Sequence, residues 1–178
     1  MCKVLAKLIL FNYNSSMNIN ELEIDIQRSK ERSPETFNEI VNITIPFYMF
    51  YRKMFGGVSR LEEDNYQITH SEIDVLSSLK ISGNEEYILS PTRLNERLLF
   101  TAGAITKVLK KLEEKQYIER LDNKFDKRGK LVKLTPLGRE VYDKVMKDIL
   151  DFEEKCFSPL SEEEKQTMKN LFIKLLKS

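Results

Sequence analysis

The chain has 178 residues, 41% hydrophobic and 32% charged, with a formal net charge of +1. That suits one helix-rich domain with a true core, or one domain with an extension, and argues against wholesale disorder. No apolar run approaches the ~20 residues of a membrane helix, two cysteines make no disulfide framework, and a single histidine excludes the usual histidine-rich metal sites.

The opening "MCKVLAKLILF" is interrupted by Lys7 and is followed by no small-residue cleavage site, so a signal peptide is not expected and the reading is cytoplasmic. Met17 is an alternative start. Residues 18 to 34 are polar with a weak apolar alternation and read as an arm or a short helix. A long helix is expected from Ser33 as N-cap and Pro34 as first helical residue. Phe37, Ile40, Val41, Thr44, Phe47, Tyr48, Tyr51 and Phe55 mark one apolar face, and Ile43, Ile45, Met49 and Phe50 spill onto the others. Such a helix is expected to be buried on more than one side, the second side against another subunit. Pro46 removes a helical hydrogen bond and is expected to kink or split it.

"ITHSEIDVLSSLKISGN" is a helix with a capping box, Thr69 and Glu72, and a hydrophobic staple, Ile68 with Ile73. Gly83-Asn84 ends it. Ser90-Pro91 opens a short helix with Leu94 and Leu98 facing inward. Thr101 caps the next, whose inner face is Ile105, Val108, Leu109 and Leu112. The tight junction at Leu99 to Thr101 makes the two a helix-turn-helix candidate. Two strand-like pieces, "YIERL" and "KLVKLT", flank a charged tip. Thr135-Pro136 opens a long helix with the stripe Leu137, Val141, Val145, Ile149, Phe152 and Cys156, stopped by Ser158-Pro159. A last helix begins with the capping box Ser161 and Glu164 and presents Met168, Leu171, Phe172 and Leu175. The fold class is mainly α with a small β-hairpin wing: a winged helix-turn-helix.

Charge is unevenly spread. Residues 90 to 139 hold 13 Lys and Arg against 6 Asp and Glu, and the rest of the chain is net acidic. One face built for an anion, nucleic acid above all, is the natural reading. In a winged helix the second helix of the pair enters the major groove and the hairpin tip reaches backbone or minor groove. The outer face of that helix carries Gly103, Thr106, Lys107, Lys110 and Lys111. Ala102, Gly103 and Ala104 let the backbone approach. Thr106 and Lys107 are placed for base edges, Lys110 and Lys111 for phosphates, and the amides at the Thr101 end for another phosphate. At the tip, Arg128 beside Gly129 suits a narrow minor groove, and Asp126 is an orienting partner for it. Lys124, Lys127 and Lys130 supply sequence-independent attraction. The alternative, an idle solvated helix face, leaves the hairpin unexplained.

"DKRGKLVKLTPLG" fits the pattern D-x-R-x5-L-T-x-x-G through Asp126, Arg128, Leu134, Thr135 and Gly138, and resembles the wing signature of the multiple-antibiotic-resistance regulator (MarR) family. "LNERLLFTAGAITKVLKKLEEKQYIER" resembles the helix-turn-helix of the same family, and "ITHSEIDVLSSL" the helix before it. The likeness spans residues 35 to 178 and leaves 1 to 34 as an extension. It implies a homodimer through flanking N- and C-terminal dimerisation helices (35 to 60 and 140 to 178) around a DNA-binding lobe (66 to 139). The expected partner is double-stranded operator DNA of pseudo-palindromic sequence, and the expected role is a repressor. It further implies release by a small aromatic or phenolic effector, or by oxidation. Candidate effector-lining residues are Tyr48, Tyr51, Met54, Tyr66 and His70, and the favoured alternative is that they are core and surface residues. Cys2 and Cys156 are poor redox switches, Cys156 because it lies on an apolar stripe. Gln116 departs from the pattern, since family members usually have glycine there. No cofactor or metal is expected, and with no nucleophile motif or glycine-rich phosphate loop no enzymatic activity is expected either. A winged-helix module that binds protein rather than DNA is the other reading, and apolar residues in place of the lysine face would mark it.

Overall fold

The computed structural model describes residues 19–123 and 130–177. The chain divides between Gly57 and Val58 into two compact units. The N-terminal unit begins with helix α1 (Ile19–Arg32). From Glu21 to Arg32, Leu22, Ile26 and Ser29 recur at helical spacing and are the ones withdrawn from solvent. Of the stretch read as an arm or a short helix, Ile19–Arg32 is a helix.

The long helix does not start at Pro34. Helix α2 is Val41–Tyr66. Because α1 already occupies the preceding residues, Ser33-Pro34 terminates a helix instead of opening one. A proline disfavours helical backbone in the residue before it. The Ser33 carbonyl accepts from the amides of Thr36 and Phe37 at 3.1 and 3.0 Å, closing a turn. Lys30 reaches Glu39 at 2.8 Å and lies 5.5 Å from the Phe37 ring centroid, which fastens that turn to α1. Asn38 Oδ1 then accepts from the Ile40 amide at 2.9 Å just before α2. Pro46 lies within a single helix rather than between two. It is exposed, so water can take up the hydrogen bond that Pro46 does not supply. Ile43, Phe47, Tyr51 and Phe55 on α2 are exposed in the single chain.

The second unit carries α3 (His70–Ser82), β1 (Ile88–Leu89), α4 (Pro91–Leu98), α5 (Ala102–Glu114), β2 (Ile118–Asp122), β3 (Lys130–Leu134), α6 (Pro136–Phe157) and α7 (Glu162–Leu176). Its core is continuous from Val58 and Ile68 through Leu76, Leu79, Leu94, Leu109, Leu112, Val132 and Leu134 to Tyr142, Val145 and Ile149. The three strands form an antiparallel sheet in the order β1-β3-β2. Strand β1 has no two-residue alternation long enough to be read from sequence. It exists because Ile88 and Leu89 pair with Lys133 and Val132.

The helix starts of the second unit form as the sequence predicts. Glu72 Oε2 accepts from the Thr69 amide at 2.7 Å, and the staple residues Ile68 and Ile73 are buried. Ser90, Thr101, Thr135 and Ser161 each accept a backbone N–H three residues on. The buried face of α6 is Gly138, Tyr142, Val145 and Ile149. Leu137 is 44% exposed, so the expected stripe is rotated at its start. On α7 no residue is buried, and Leu171, Phe172 and Leu175 are exposed.

Candidate nucleic-acid interface

Helix α5 is fixed at both ends. Thr101 Oγ1 accepts from the Ala104 amide at 3.2 Å. At the other end the Tyr117 amide donates to Leu112 O and the Gln116 amide to Glu113 O, both at 2.9 Å, the paired bonds of a Schellman ending. That ending needs a left-handed residue, and Gln116 takes φ 61°. A side chain there costs free energy that glycine would not. Gln116→Gly is expected to raise stability by about 0.5–1 kcal/mol, seen as a higher urea midpoint at unchanged slope. An unchanged or lower midpoint would contradict it.

Ile105, Leu109 and Leu112 are buried, with Val108 packed beside them, and this turns the opposite face outward. Thr101, Gly103, Thr106, Lys107, Lys110 and Lys111 are exposed. Ala102 is the first residue of the helix. A Cβ on Gly103 would meet nothing within 4 Å, so packing does not demand glycine there. Its smallness matters only to something approaching from outside.

The wing strands pair from Ile118↔Leu134 to Asp122↔Lys130. Lys130 is exposed at the loop end of the wing strands. Lys124, Asp126, Lys127 and Arg128 lie outside the described residues, as does the expected pairing of Asp126 with Arg128.

The rest of the wing signature has a mechanical meaning. Leu134 is core. The Thr135 hydroxyl lies 2.8 Å from Gln116 O and 3.1 Å from Tyr117 O, and accepts from the Gly138 amide at 3.0 Å. A Cβ on Gly138 would sit 2.1 Å from Tyr117 O. These residues clamp α6 and β3 onto the end of α5, which sets the angle at which that helix is presented.

The charges of this lobe are sorted partly by pairs within one helix and partly by pairs that only the fold brings together. Each described carboxylate between residues 90 and 139 has a basic partner. Glu96 pairs with Arg93 at 3.0 Å, Glu113 with Arg120 at 3.4 Å and Glu119 with Lys133 at 3.5 Å. Glu114 pairs with Lys110, and Asp122 with Lys130, both at 3.8 Å. Lys107 and Lys111 on α5, and Arg97 on α4, form no ion pair among the described residues. Arg97 was not among the sequence candidates. Its signal was available: the first helix of such a pair crosses the DNA backbone.

The five effector candidates fall in different units. Tyr48, Tyr51 and Met54 belong to the N-terminal one, where the Tyr51 and Phe55 rings stack at 5.7 Å between centroids. Tyr66 and His70 belong to the second and already have protein partners. Tyr66 Oη donates to Asp148 Oδ2 at 2.6 Å, and His70 Nδ1 lies 3.0 Å from Oε1 of the buried Glu62. The Asp148 carboxylate disfavours the tyrosinate and pushes the Tyr66 phenol up to about 12 from 10.0. The folded form therefore holds this proton more tightly than the unfolded one. The bond's contribution is complete below pH 10 and is lost as pH rises through 12. Tyr66→Phe is expected to cost about 1 kcal/mol at pH 7 and less above pH 11, measured by urea unfolding at both. An equal cost at both would rule out the bond as its source. Cys156 is a half-buried free thiol. Among the described residues no His, Cys, Asp and Glu side chains converge on a metal-sized site, and no helix is long and apolar enough to cross a membrane.

A sequence pattern describing the MarR family matches residues 66–129. The multiple antibiotic resistance protein MarR of Salmonella typhimurium is 33% identical over 147 residues, 80% of this chain and 96% of that one. The HTH-type transcriptional regulator PecS of Dickeya dadantii is 28% identical over 106 residues, 60% of this chain and 63% of its own. Among solved structures, a cysteine-to-serine variant of MarR from E. coli superposes with a TM-score of 0.65 at 28% identity, covering 78% of this chain and 99% of that one. The same variant complexed with operator DNA gives a TM-score of 0.60, with the same identity and coverage. A helix-turn-helix and wing held together by the signature residues, in a chain that spans nearly all of the MarR proteins it matches, leads to one conclusion: the protein belongs to the MarR family of DNA-binding transcription regulators.

Proposed function

We propose that two copies of this chain bind a pseudo-palindromic operator as a homodimer and repress transcription from it. Each copy places α5 in a major groove and its wing beside the neighbouring backbone or minor groove. The observation that carries this reading is the outer face of α5. Thr106, Lys107, Lys110 and Lys111 point away from Ile105, Leu109 and Leu112, on a helix locked at both ends. Thr106 and Lys107, nearer the N-terminus, would reach base edges, and Lys111 a phosphate. Arg97 on the first helix of the pair would add a backbone contact. A second copy would cover the exposed apolar residues of α2 and α7, where Ile43, Phe47, Leu171 and Leu175 face solvent in the single chain. The protein would act in the cytoplasm, where its DNA is, with no chemistry of its own. Release by a small aromatic or phenolic effector fits the family. Such a ligand would have to displace Asp148 or Glu62 to use Tyr66 or His70.

The test is a fluorescence-anisotropy titration of the purified protein with DNA from upstream of its own gene and with a shuffled control, each at two salt concentrations. Tight, salt-sensitive binding to the upstream DNA alone is expected. Failure to bind either probe at low salt would favour the protein-binding module instead. Arg128→Ala is expected to weaken operator binding by ~1–3 kcal/mol with the dimer intact by analytical ultracentrifugation. Unchanged affinity would remove the wing from the interface.

A further inference from the structure

We propose that Glu114 and Asp122 limit how tightly this protein holds DNA of any sequence, by keeping Lys110 and Lys130 from the phosphates. The inference rests on the lobe being the DNA interface proposed above. Both pairs are wide, at 3.8 Å, and open to water: the side chains of Glu114 and Asp122 are 62% and 93% exposed. Exposed pairs of this kind contribute little to folding, so holding the fold together does not account for them. Beside a polyanion the same carboxylates matter more. A carboxylate next to a phosphate-facing lysine lies well within the ~8 Å screening length of physiological salt, so its repulsion of DNA is felt.

The arrangement is also selective. Lys107, Lys111 and Arg97 carry their charge without an ion-pair partner among the described residues, whereas Lys110 and Lys130 do not. Lys110 sits one turn beyond Thr106 and Lys107 on α5, and Lys130 stands at the loop end of the wing strands, opposite Asp122 in the strand register. For either lysine to neutralise a phosphate it must leave its carboxylate, which then remains unpaired near the DNA. That cost is the same for operator and for random sequence. The acids therefore act on affinity and on its salt dependence, not on base discrimination.

The experiment uses the full chain and its Glu114→Gln and Asp122→Asn variants, titrated against the upstream and shuffled probes across a salt series. Each variant is expected to bind both probes roughly two- to fivefold more tightly, the range an exposed pair of this kind can supply. The ratio between probes should not move. The slope of log affinity against log salt should steepen by up to ~0.9 for each lysine released. Thermal midpoints should stay within a few degrees of the parent. Unchanged or weaker binding to both probes overturns the proposal. A change confined to the upstream probe also overturns it, and would mean that the carboxylate reads a base, as an acceptor from cytosine N4. If the parent itself binds neither probe, the interface reading has failed, and this inference falls with it.

Discussion

Gly138→Ala is expected to be among the most damaging single changes in the DNA-binding lobe. The added Cβ would stand 2.1 Å from Tyr117 O and 2.9 Å from both Tyr117 C and the Leu134 side chain. Two of those three neighbours are backbone, so no flexible side chain can simply swing aside. The Tyr117 carbonyl is also held from two directions, by the Thr135 amide at 3.0 Å and the Thr135 hydroxyl at 3.1 Å. Relief requires α6 to move away from the end of α5, opening a contact among Leu134, Tyr142 and Val145. Overpacking of this kind costs roughly 2–4 kcal/mol, at the upper end because backbone must shift. Chemical denaturation would measure it. A cost below about 0.5 kcal/mol, within the range of an ordinary surface substitution, would show that α6 does not depend on this approach. A shifted α6 also changes the angle of α5, so operator affinity in the folded variant should fall as well.

Lys115→Met is the second large effect. Glu72 is a buried carboxylate, its side chain 1% exposed, and Lys115 Nζ lies 3.1 and 3.2 Å from its two oxygens. Lys115 also donates to Gln67 O at 2.7 Å, just after α2, where Gln67 has φ 52°. One ammonium thus joins three elements: the end of α5, the start of α3 and the junction that precedes it. Met keeps the length and apolar stem of lysine and removes only the charge and the donors. Glu72 retains its bonds to the Thr69 amide and hydroxyl but loses its counter-charge. Breaking a buried pair by removing one partner costs 3–5 kcal/mol when water is shut out. Lys115 is 31% exposed, so water reaches part of the site, and roughly 2–3 kcal/mol is the expected loss. The double variant Lys115→Met with Glu72→Gln should recover part of it, because no buried charge is then left alone. Failure of the double variant to recover stability would place the loss in packing rather than in charge.

Much of this protein is written in local patterns. The capping boxes at Thr69 and Ser161, the caps at Ser90, Thr101 and Thr135, and the inward face of α5 depend on residues three or four apart, and they form as read. The helix-turn-helix, the two wing strands and the family follow from them. Where the reading failed, the deciding partner lay outside the local window. Ser33-Pro34 has the composition of a helix start, and became a helix end because α1 preceded it. Leu137 and Gly138 are adjacent, and the approach of α6 to the Tyr117 carbonyl decided which of them turns inward. Ile88 and Leu89 became a strand only by pairing with β3, more than 40 residues away.

By itself the sequence determined the fold class, the position of the outward lysine row on α5 and the membership of the family, because each depends on spacing along one element. Tertiary structure decided part of which charges are available. Lys110 faces Glu114 four residues on along the same helix, a pair that helical spacing already offers, whereas Lys130 meets Asp122 only through the strand register. It also gave the signature residues their purpose, since Thr135 and Gly138 act on Gln116 and Tyr117, some twenty residues earlier in the chain. Pairs made through the strand register and close backbone contacts join residues through space, and no periodicity along the chain records them.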